Sequence, residues 1–555
     1  MPVIKIDLRD LRDLLGDVPE EETAPEKLAE TISSMGASIE KMGGDEMEVE
    51  FFPNRPDLYS VEGVARALRF YLGAEKPGEY SVTPSGYTLT VEESVKQVRP
   101  YMVMAVVRNV VFDDPLIQSV MQVQEKLHAT IGRNRKKVAI GIHDASKVKP
   151  PFFYRGVDPD SVSFVPLGHA EEMTMREILE KHEKGREYRH LVEDKPLFPL
   201  FVDSENNVLS FPPIINGALT TVTEDTTDLV LDVTGEDLRA MKTVLNILST
   251  LFMERGARVE TVEIHDPVEG VFVAPDLSYE PMDVGVDYVN RLLGTDASAG
   301  EIISHLTRMG YMALENTTPR KDAVLRVGIP PYRADILHPV DLVEDVAIAM
   351  GYQKLQPTLP RVPTIGKDLP WKKDEHRVRE ILVGLGFLEV ATFTLIGKED
   401  QFTKMRLPIG EDVPIKNPLT REHNSLRKWL IPSLLQILQA NRHRDLPQKI
   451  FEIGDVVIKG ENKTRVAAVI ISSKTGFTEI KSHAEALLRS TVKEWEVVPK
   501  DHPSFIPGRC AAVVVGGEEI GFMGEIHPEV ITNYKLTNPI TAMEFDFHSL
   551  TPREK

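Results

Sequence analysis

Cysteine is nearly absent: 555 residues hold one, Cys510. A lone thiol excludes an internal disulfide framework and suits a reducing compartment. Long apolar runs are missing as well. None approaches the roughly 18–20 residues that a membrane helix needs. The first fifteen residues, MPVIKIDLRDLRDLL, are charged early and lack the apolar stretch of a secretory signal. These absences lead us to expect a soluble, cytoplasmic protein. Positive charge is also scarce, with 65 Lys and Arg against 85 Asp and Glu, a net −20. Phosphate contacts dominate nucleic-acid affinity, so this balance argues against RNA binding by broad electrostatics. Two local basic stretches remain, 133–137 and 441–449, and each alone reads as a solvated face.

What is present is enough for packed cores. Apolar residues make up 42%, which excludes a disordered chain, and the length suits about three to five domains. An internal repeat divides it. Leu14-Leu15-Gly16 recurs as Leu292-Leu293-Gly294, and Pro53-x-Arg55-x-Asp57 as Pro331-x-Arg333-x-Asp335, both at an offset of 278. Gly73 and Gly351 keep that offset, while Met35-Gly36 matches Met309-Gly310 with a shift of four. Thr23-x-x-Glu26 and Ser298-x-x-Glu301 both read as capping boxes. Leu28, Ile32 and Met35 share a helical face, as do Ile302, Leu306 and Met309. Gly36 and Gly310 stand where a helix end wants a left-handed residue. Two related small α+β modules follow, each closing with a second helix.

Only the second copy is acidic. It carries Asp335, Asp341, Glu344 and Asp345, where the first has Asp57, Gly63, Arg66 and Ala67. The last three acids sit at i, i+3 and i+4 on one helical face. Converging carboxylates repel unless a cation neutralises them, and oxygen-only ligands suit Mg²⁺ before Ca²⁺. Acids in a helix's first turns are also favoured by its dipole. Spacing alone leaves both readings open.

Between the copies lies a mixed α/β block. Residues 100–112 and 136–144 are β-rich, Leu116, Val120, Val123 and Leu127 keep helical spacing, and 197–217 reads as strand-turn-strand about Asn206-Asn207. A strand in 226–235 and a helix at 237–255 complete it. It has no nucleophile elbow, zinc spacing or dinucleotide fingerprint. After the repeat, a helix carries Val378, Ile381, Leu382 and Leu385 before Gly386, and residues 388–396 read as a strand. A loop and a long amphipathic helix then end near Arg444, followed by strands at 449–458 and near 518–526, which predicts a mainly antiparallel sheet.

These segments resemble the β subunits of phenylalanine–tRNA ligases. FFPNRPDLYSVEGVARAL (51–68) is similar to their first module, and PPYRADILHPVDLVEDVAIAMGY (330–352) to their acidic module. NPLTREHNSLRKWLIPSLLQILQANRHR (417–444), KIFEIGDVV (449–457) and GEIHPEVI (524–531) resemble their inactive synthetase-like domain. The resemblance runs over essentially the whole chain in the family's order. No tRNA-binding barrel is inserted before residue 100, and nothing like the bacterial anticodon-binding domain follows 550, which resembles the archaeal and eukaryotic-cytosolic form.

The resemblance implies an α+β multidomain chain with four parts: a first module at 1–88, a tRNA-editing domain at 89–268, a Mg²⁺-binding module at 269–360, and a class II synthetase-like domain at 361–555 without catalytic motifs. Residues 371–397 and 417–457 look like the first two class II signatures, but the Gly-rich final motif with its arginine is missing. Catalysis of charging then belongs to an α subunit that binds ATP and phenylalanine, in an α₂β₂ heterotetramer with tRNA for phenylalanine. This subunit would hydrolyse Tyr mistakenly joined to that tRNA, because a Phe pocket rejects the hydroxyl-bearing analogue only about 10²-fold. For editing we expect Asp232 and Thr234, two apart on one strand face, with Ser210, Asn216 and Gly217 around them. Asp232 could instead cap the next helix, and His143 on its strand is more simply structural. The resemblance makes Asp335, Asp341, Glu344 and Asp345 the Mg²⁺ ligands, Asp345 standing where bacterial forms often have Glu. The ion would be structural or water-mediated. Rival readings are a stand-alone editing or RNA-binding module, a metal-dependent phosphoesterase centred on the acids, and a scaffold whose editing site has decayed.

Overall fold

The computed structural model describes residues 2–314, 323–360, 364–492 and 494–550. The chain divides into two compact units, Met1–Leu359 and Pro360–Lys555.

The first unit contains the repeat. Copy one runs strand Val3–Asp7, helices Leu8–Leu15 and Pro25–Ser34, strands Ser38–Gly43 and Glu46–Glu50, then helix Val61–Leu72. Copy two runs strand Glu280–Gly285, helices Val286–Leu293 and Ala299–Arg308, strands Met312–Ala313 and Val324–Ile329, then helix Pro339–Met350. In each sheet the third strand lies between the other two. Gly36 and Gly310 take φ of 93° and 90°, values that a side chain would strain. Leu28, Ile32, Ile302, Leu306 and Met309 are buried, as their periodicity predicts. One cap differs. Ser298 and Glu301 form the expected capping box, but Pro25 opens the other helix at its first position, so its cap is Ala24 and Thr23 is a residue too early. The Thr23 hydroxyl donates instead to the Glu20 carbonyl.

Between the copies stands a ten-stranded sheet. Its strands lie in the order Ile215–Asn216, Val208–Phe211, Phe198–Val202, Phe152–Val157, Thr83–Val91, Arg258–Asp266, Tyr101–Arg108, Leu229–Gly235 and Val138–Asp144, with Gly270–Ala274 paired beside Arg258–Asp266. The sheet therefore spans 83–274, and boundaries at 88/89 and 268/269 fall inside it. Met102 to Val107 are all buried, a continuous apolar run suited to a central strand covered on both faces. Helix Leu238–Glu254 packs on this strand. Just beyond that helix, Arg255 forks over Asp10 at 2.6 and 2.7 Å and reaches Glu62 at 2.7 Å, tying the first module to the sheet.

The second unit is a seven-stranded sheet, antiparallel except where Leu388–Glu389 joins Gln448–Ile458. Two details depart from expectation. The strand expected at 388–396 exists only as Leu388–Glu389 and Leu395–Ile396, because Leu388 and Phe393 face outward and give the middle nothing to pack on. The long helix expected before Arg444 is ten residues, Ile431–Ala440, with Pro432 in its first turn. Glu544 accepts the amides of Leu430 and Ile431 at that helix start, at 2.9 and 3.1 Å. Burial pushes the Glu544 carboxyl up from 4.5 to about 7, against Arg465 and the two amides. The folded unit therefore holds this proton more tightly than the unfolded chain. Its stabilising effect is complete below about 4.5 and is lost as pH rises through about 7. Denaturant titrations should show stability falling across that window by up to about 3 kcal/mol, and Glu544→Gln should flatten the fall. An unchanged slope in the variant would contradict it.

Candidate active site

A cavity of about 750 Å³ opens between the sheet end and helix Asp114–Ala129. Ser210, Asn216, Gly217, Asp232 and Thr234 all line it. Strand Leu229–Gly235 sits between Tyr101–Arg108 and Val138–Asp144, which fixes its register and sends Asp232 and Thr234 to one face. Ser210 pairs directly with Asn216. Helix capping falls to Asp237, which accepts from Ala240, so Asp232 lies mid-strand and caps nothing.

The base of the cavity is buried and polar. His143 Nε2 meets Asp232 Oδ1 at 2.7 Å, and its Nδ1 meets Thr220 Oγ1 at 2.8 Å. The ring bridges the carboxylate and the Thr220 hydroxyl, and that hydroxyl in turn donates to the Gly217 carbonyl at 3.4 Å. His143 is fully buried with both nitrogens engaged, so it positions Asp232 and has no nitrogen left for substrate. Arg99 Nε donates to Thr234 Oγ1 at 2.9 Å. That fixes the hydroxyl as acceptor on one side and leaves its proton for another partner. Burial lowers the Arg99 pKa to about 10. The Ser210 hydroxyl is buried and has no hydrogen-bond partner. An orphaned buried hydroxyl is uncommon and marks a place where a ligand can supply the missing bond.

Several lining residues escape the sequence reading. Gly141 lies opposite Asp232 in the sheet. His128 accepts the Ile140 amide on Nε2 at 2.8 Å, and burial lowers its pKa to about 3, so it is neutral. Tyr188 and Lys184 stand at the rim with Arg135, so the basic stretch 133–137 is not wholly the solvated face its sequence suggests: Arg135 is half-buried against the cavity. These come from separate helices and turns, and single-strand alternation does not connect them.

The four acids of the second copy line a different cavity, of about 830 Å³. Their carboxylates do not converge on one point as their spacing suggests. Arg333 holds Asp335 through two bonds of 2.8 Å and reaches Asp345 at 2.8 Å. Tyr311 also donates to Asp345, at 2.6 Å. Asp341 Oδ2 accepts the amides of Leu337 and His338, each at 2.8 Å, so it caps its helix, and Glu344 is exposed. Among the described residues no three His, Cys, Asp or Glu are placed to hold a metal. The physical reason is that a guanidinium already supplies the neutralising charge. Copy one shows the same fork: Arg55 holds Asp57 at 2.9 and 2.8 Å. The donors left over, Asp341 and Glu344, fit a water-rich Mg²⁺, which binds through one or two carboxylates, and do not fit an all-protein cage.

The class follows from two family models. Residues 282–352 match the tRNA synthetase B5 domain, and 355–547 match the phenylalanyl tRNA synthetase beta chain CLM domain. The chain is thus a tRNA synthetase subunit. It is 46% identical to the phenylalanine–tRNA ligase beta subunit of Archaeoglobus fulgidus, over 98% of both chains. It is 45% identical to that of Methanothrix thermoacetophila, over 98% of this chain and 99% of the relative. An N-terminal fragment of the phenylalanyl-tRNA synthetase beta subunit from Pyrococcus horikoshii matches 63% of this chain and 99% of its own, at 38% identity and a TM-score of 0.59. The chain belongs to the phenylalanine–tRNA ligase beta subunit family, whose members act as ligases with an alpha subunit.

Proposed function

We propose that the cavity around Asp232 removes tyrosine from mischarged phenylalanine tRNA. The observation that carries this reading is the polar base: an Asp232 carboxylate with one oxygen on His143, a Thr234 hydroxyl with its proton free, and an unpartnered Ser210 hydroxyl. The far end of an amino-acid side chain reaches the base when the nucleotide stays at the rim. A tyrosine hydroxyl donates there to Asp232 and satisfies Ser210. A phenylalanine ring leaves those groups buried and unpaired, which discriminates by up to about 10⁴–10⁵. Asn216 and Gly217 line the same cavity and would position the ester. Water attacks the ester carbonyl, the bond to the ribose oxygen breaks, and the proton from water ends on that ribose hydroxyl. The test compares Asp232→Ala with wild type in Tyr-tRNA deacylation, with phenylalanine charging as the control.

Four domains support this assignment: two repeat modules, an editing domain on the sheet at 83–274, and a synthetase-like domain in the second unit. In that last domain Arg427 is buried and spent on Glu452, Thr392 and the Asp455 carbonyl, which supports a non-catalytic role. ATP and phenylalanine then fall to the alpha subunit, in an α₂β₂ assembly with tRNA. No helix among the described residues is long and apolar enough to cross a membrane.

Mg²⁺ at the acidic cavity would be held by Asp341 and Glu344, with water completing the shell and charge neutralisation as its contribution. Calorimetric titration should give weak Mg²⁺ binding that Asp341→Ala abolishes. Binding unaffected by that change contradicts the assignment. A phosphoesterase centred on these acids loses its support, because Arg333 holds two of the four.

A further inference from the structure

The rim of the deacylation cavity carries a feature that amino-acid recognition does not use. Arg133, Asn134 and Arg135 are consecutive non-glycine residues with left-handed φ of 48°, 53° and 65°. Such residues normally occur singly, and a run of three is retained only where surrounding structure enforces it. Here Gly132 and its neighbours enforce it: Lys137 donates its amide to the Gly132 carbonyl at 2.8 Å, and Arg135 donates its amide to His128 at 3.3 Å. The consequence is that Asn134 and Arg135 face the cavity.

Arg135 is a half-buried cation lacking the partner such a group normally has. Its Nη1 donates to the carbonyls of Pro213 and Ile214 at 3.2 and 2.9 Å, and its guanidinium lies 4.5 Å from the Tyr188 ring centre. Its Nε is buried with no hydrogen-bond partner. Burial lowers its pKa, against the opposing pull of Tyr188, Glu187 and Glu125. The nearby Glu187 is engaged by Lys184 at 2.8 Å. One edge of the guanidinium is therefore anchored and the Nε side is unsatisfied, an arrangement suited to an incoming anion. Depth selects which anion. Asp232, Thr234 and Ser210 form the buried base, while Asn134 and Glu187 at the rim are exposed. With the aminoacyl group at the base, the ribose and then its 5′ phosphate lie outward.

We propose that Arg135 is the hook for the phosphate of the tRNA's 3′-terminal nucleotide, a positioning residue that sets the ester at the depth where water attacks. This rests on the deacylation reading above. A guanidinium fork matches phosphate geometry better than an ammonium does. The whole chain can stay acidic because one half-buried guanidinium, rather than a basic field, orients the end of the tRNA.

The test uses the complex with the alpha subunit and three substrates: Tyr-tRNA, 3′-tyrosyl-AMP, and 3′-tyrosyl adenosine, which lacks the phosphate. Arg135→Ala should lower kcat/KM roughly ten- to hundredfold on the first two, mainly through KM, and leave the third unchanged. Arg135→Lys should restore part of the loss. Phenylalanine charging, equal in all variants, reports that the complex is intact. Equal loss on both small esters assigns Arg135 only to holding the 213–214 turn and overturns the hook. No loss on any substrate overturns it too. If wild type hydrolyses none of the three, the deacylation reading fails first, and the hook with it.

Discussion

Gly141→Ala is expected to remove Tyr-tRNA deacylation while leaving phenylalanine charging intact. Gly141 sits directly across the sheet from Asp232. A Cβ there would lie 2.0 Å from Asp232 Oδ1 and 2.8 Å from His143 Nε2, inside the hydrogen bond that orients the carboxylate. The clash has no cheap relief. Asp232 and His143 are both buried, and the strands on either side of Asp232 fix its backbone. The carboxylate must leave its place, and misplacement of about 1 Å costs roughly 10²-fold in rate. A deacylation rate within a few-fold of wild type would show that Asp232 does not need this position.

Arg333→Met should produce the largest loss of stability. Arg333 neutralises Asp335 and Asp345, and Asp345 is buried. Without the guanidinium, two carboxylates lose their common partner, a change that costs about 3–5 kcal/mol when charges are left buried. Thermal melting of the purified chain should show the corresponding drop. Added Mg²⁺ should raise the variant's midpoint more than that of wild type, because Asp335 and Asp345 become available as ligands. A midpoint near wild type without Mg²⁺ would mean that the two acids are not held by Arg333.

Those two residues also mark where sequence reasoning reaches and where it stops. The repeat was legible because its signals are local: Gly36 and Gly310 are required by backbone conformation, and the Arg-x-Asp fork closes within three residues. The shared face of Asp232 and Thr234 was legible because residues two apart on a strand point the same way. Gly141, Thr220 and Arg135 were not, since their closeness to that strand depends on pairing between segments far apart in the chain. The acids at 341, 344 and 345 do share a helix, but a shared face does not make their oxygens converge. The missing information was Arg333, present in the same motif and mirrored by Arg55 in copy one. The short helix Ile431–Ala440 and the broken strand at 388–396 were over-read for a related reason: apolar periodicity marks what can be buried, and Leu388 and Phe393 remain outside.

One measurement tests the central claim most directly. The chain, alone and with its alpha partner, is assayed for ATP-dependent phenylalanine charging and for release of tyrosine from Tyr-tRNA, with Asp232→Ala beside wild type. The account predicts charging only in the mixture, unchanged by the substitution, and tyrosine release that the substitution removes. Charging by this chain alone, or tyrosine release undiminished in Asp232→Ala, would contradict it.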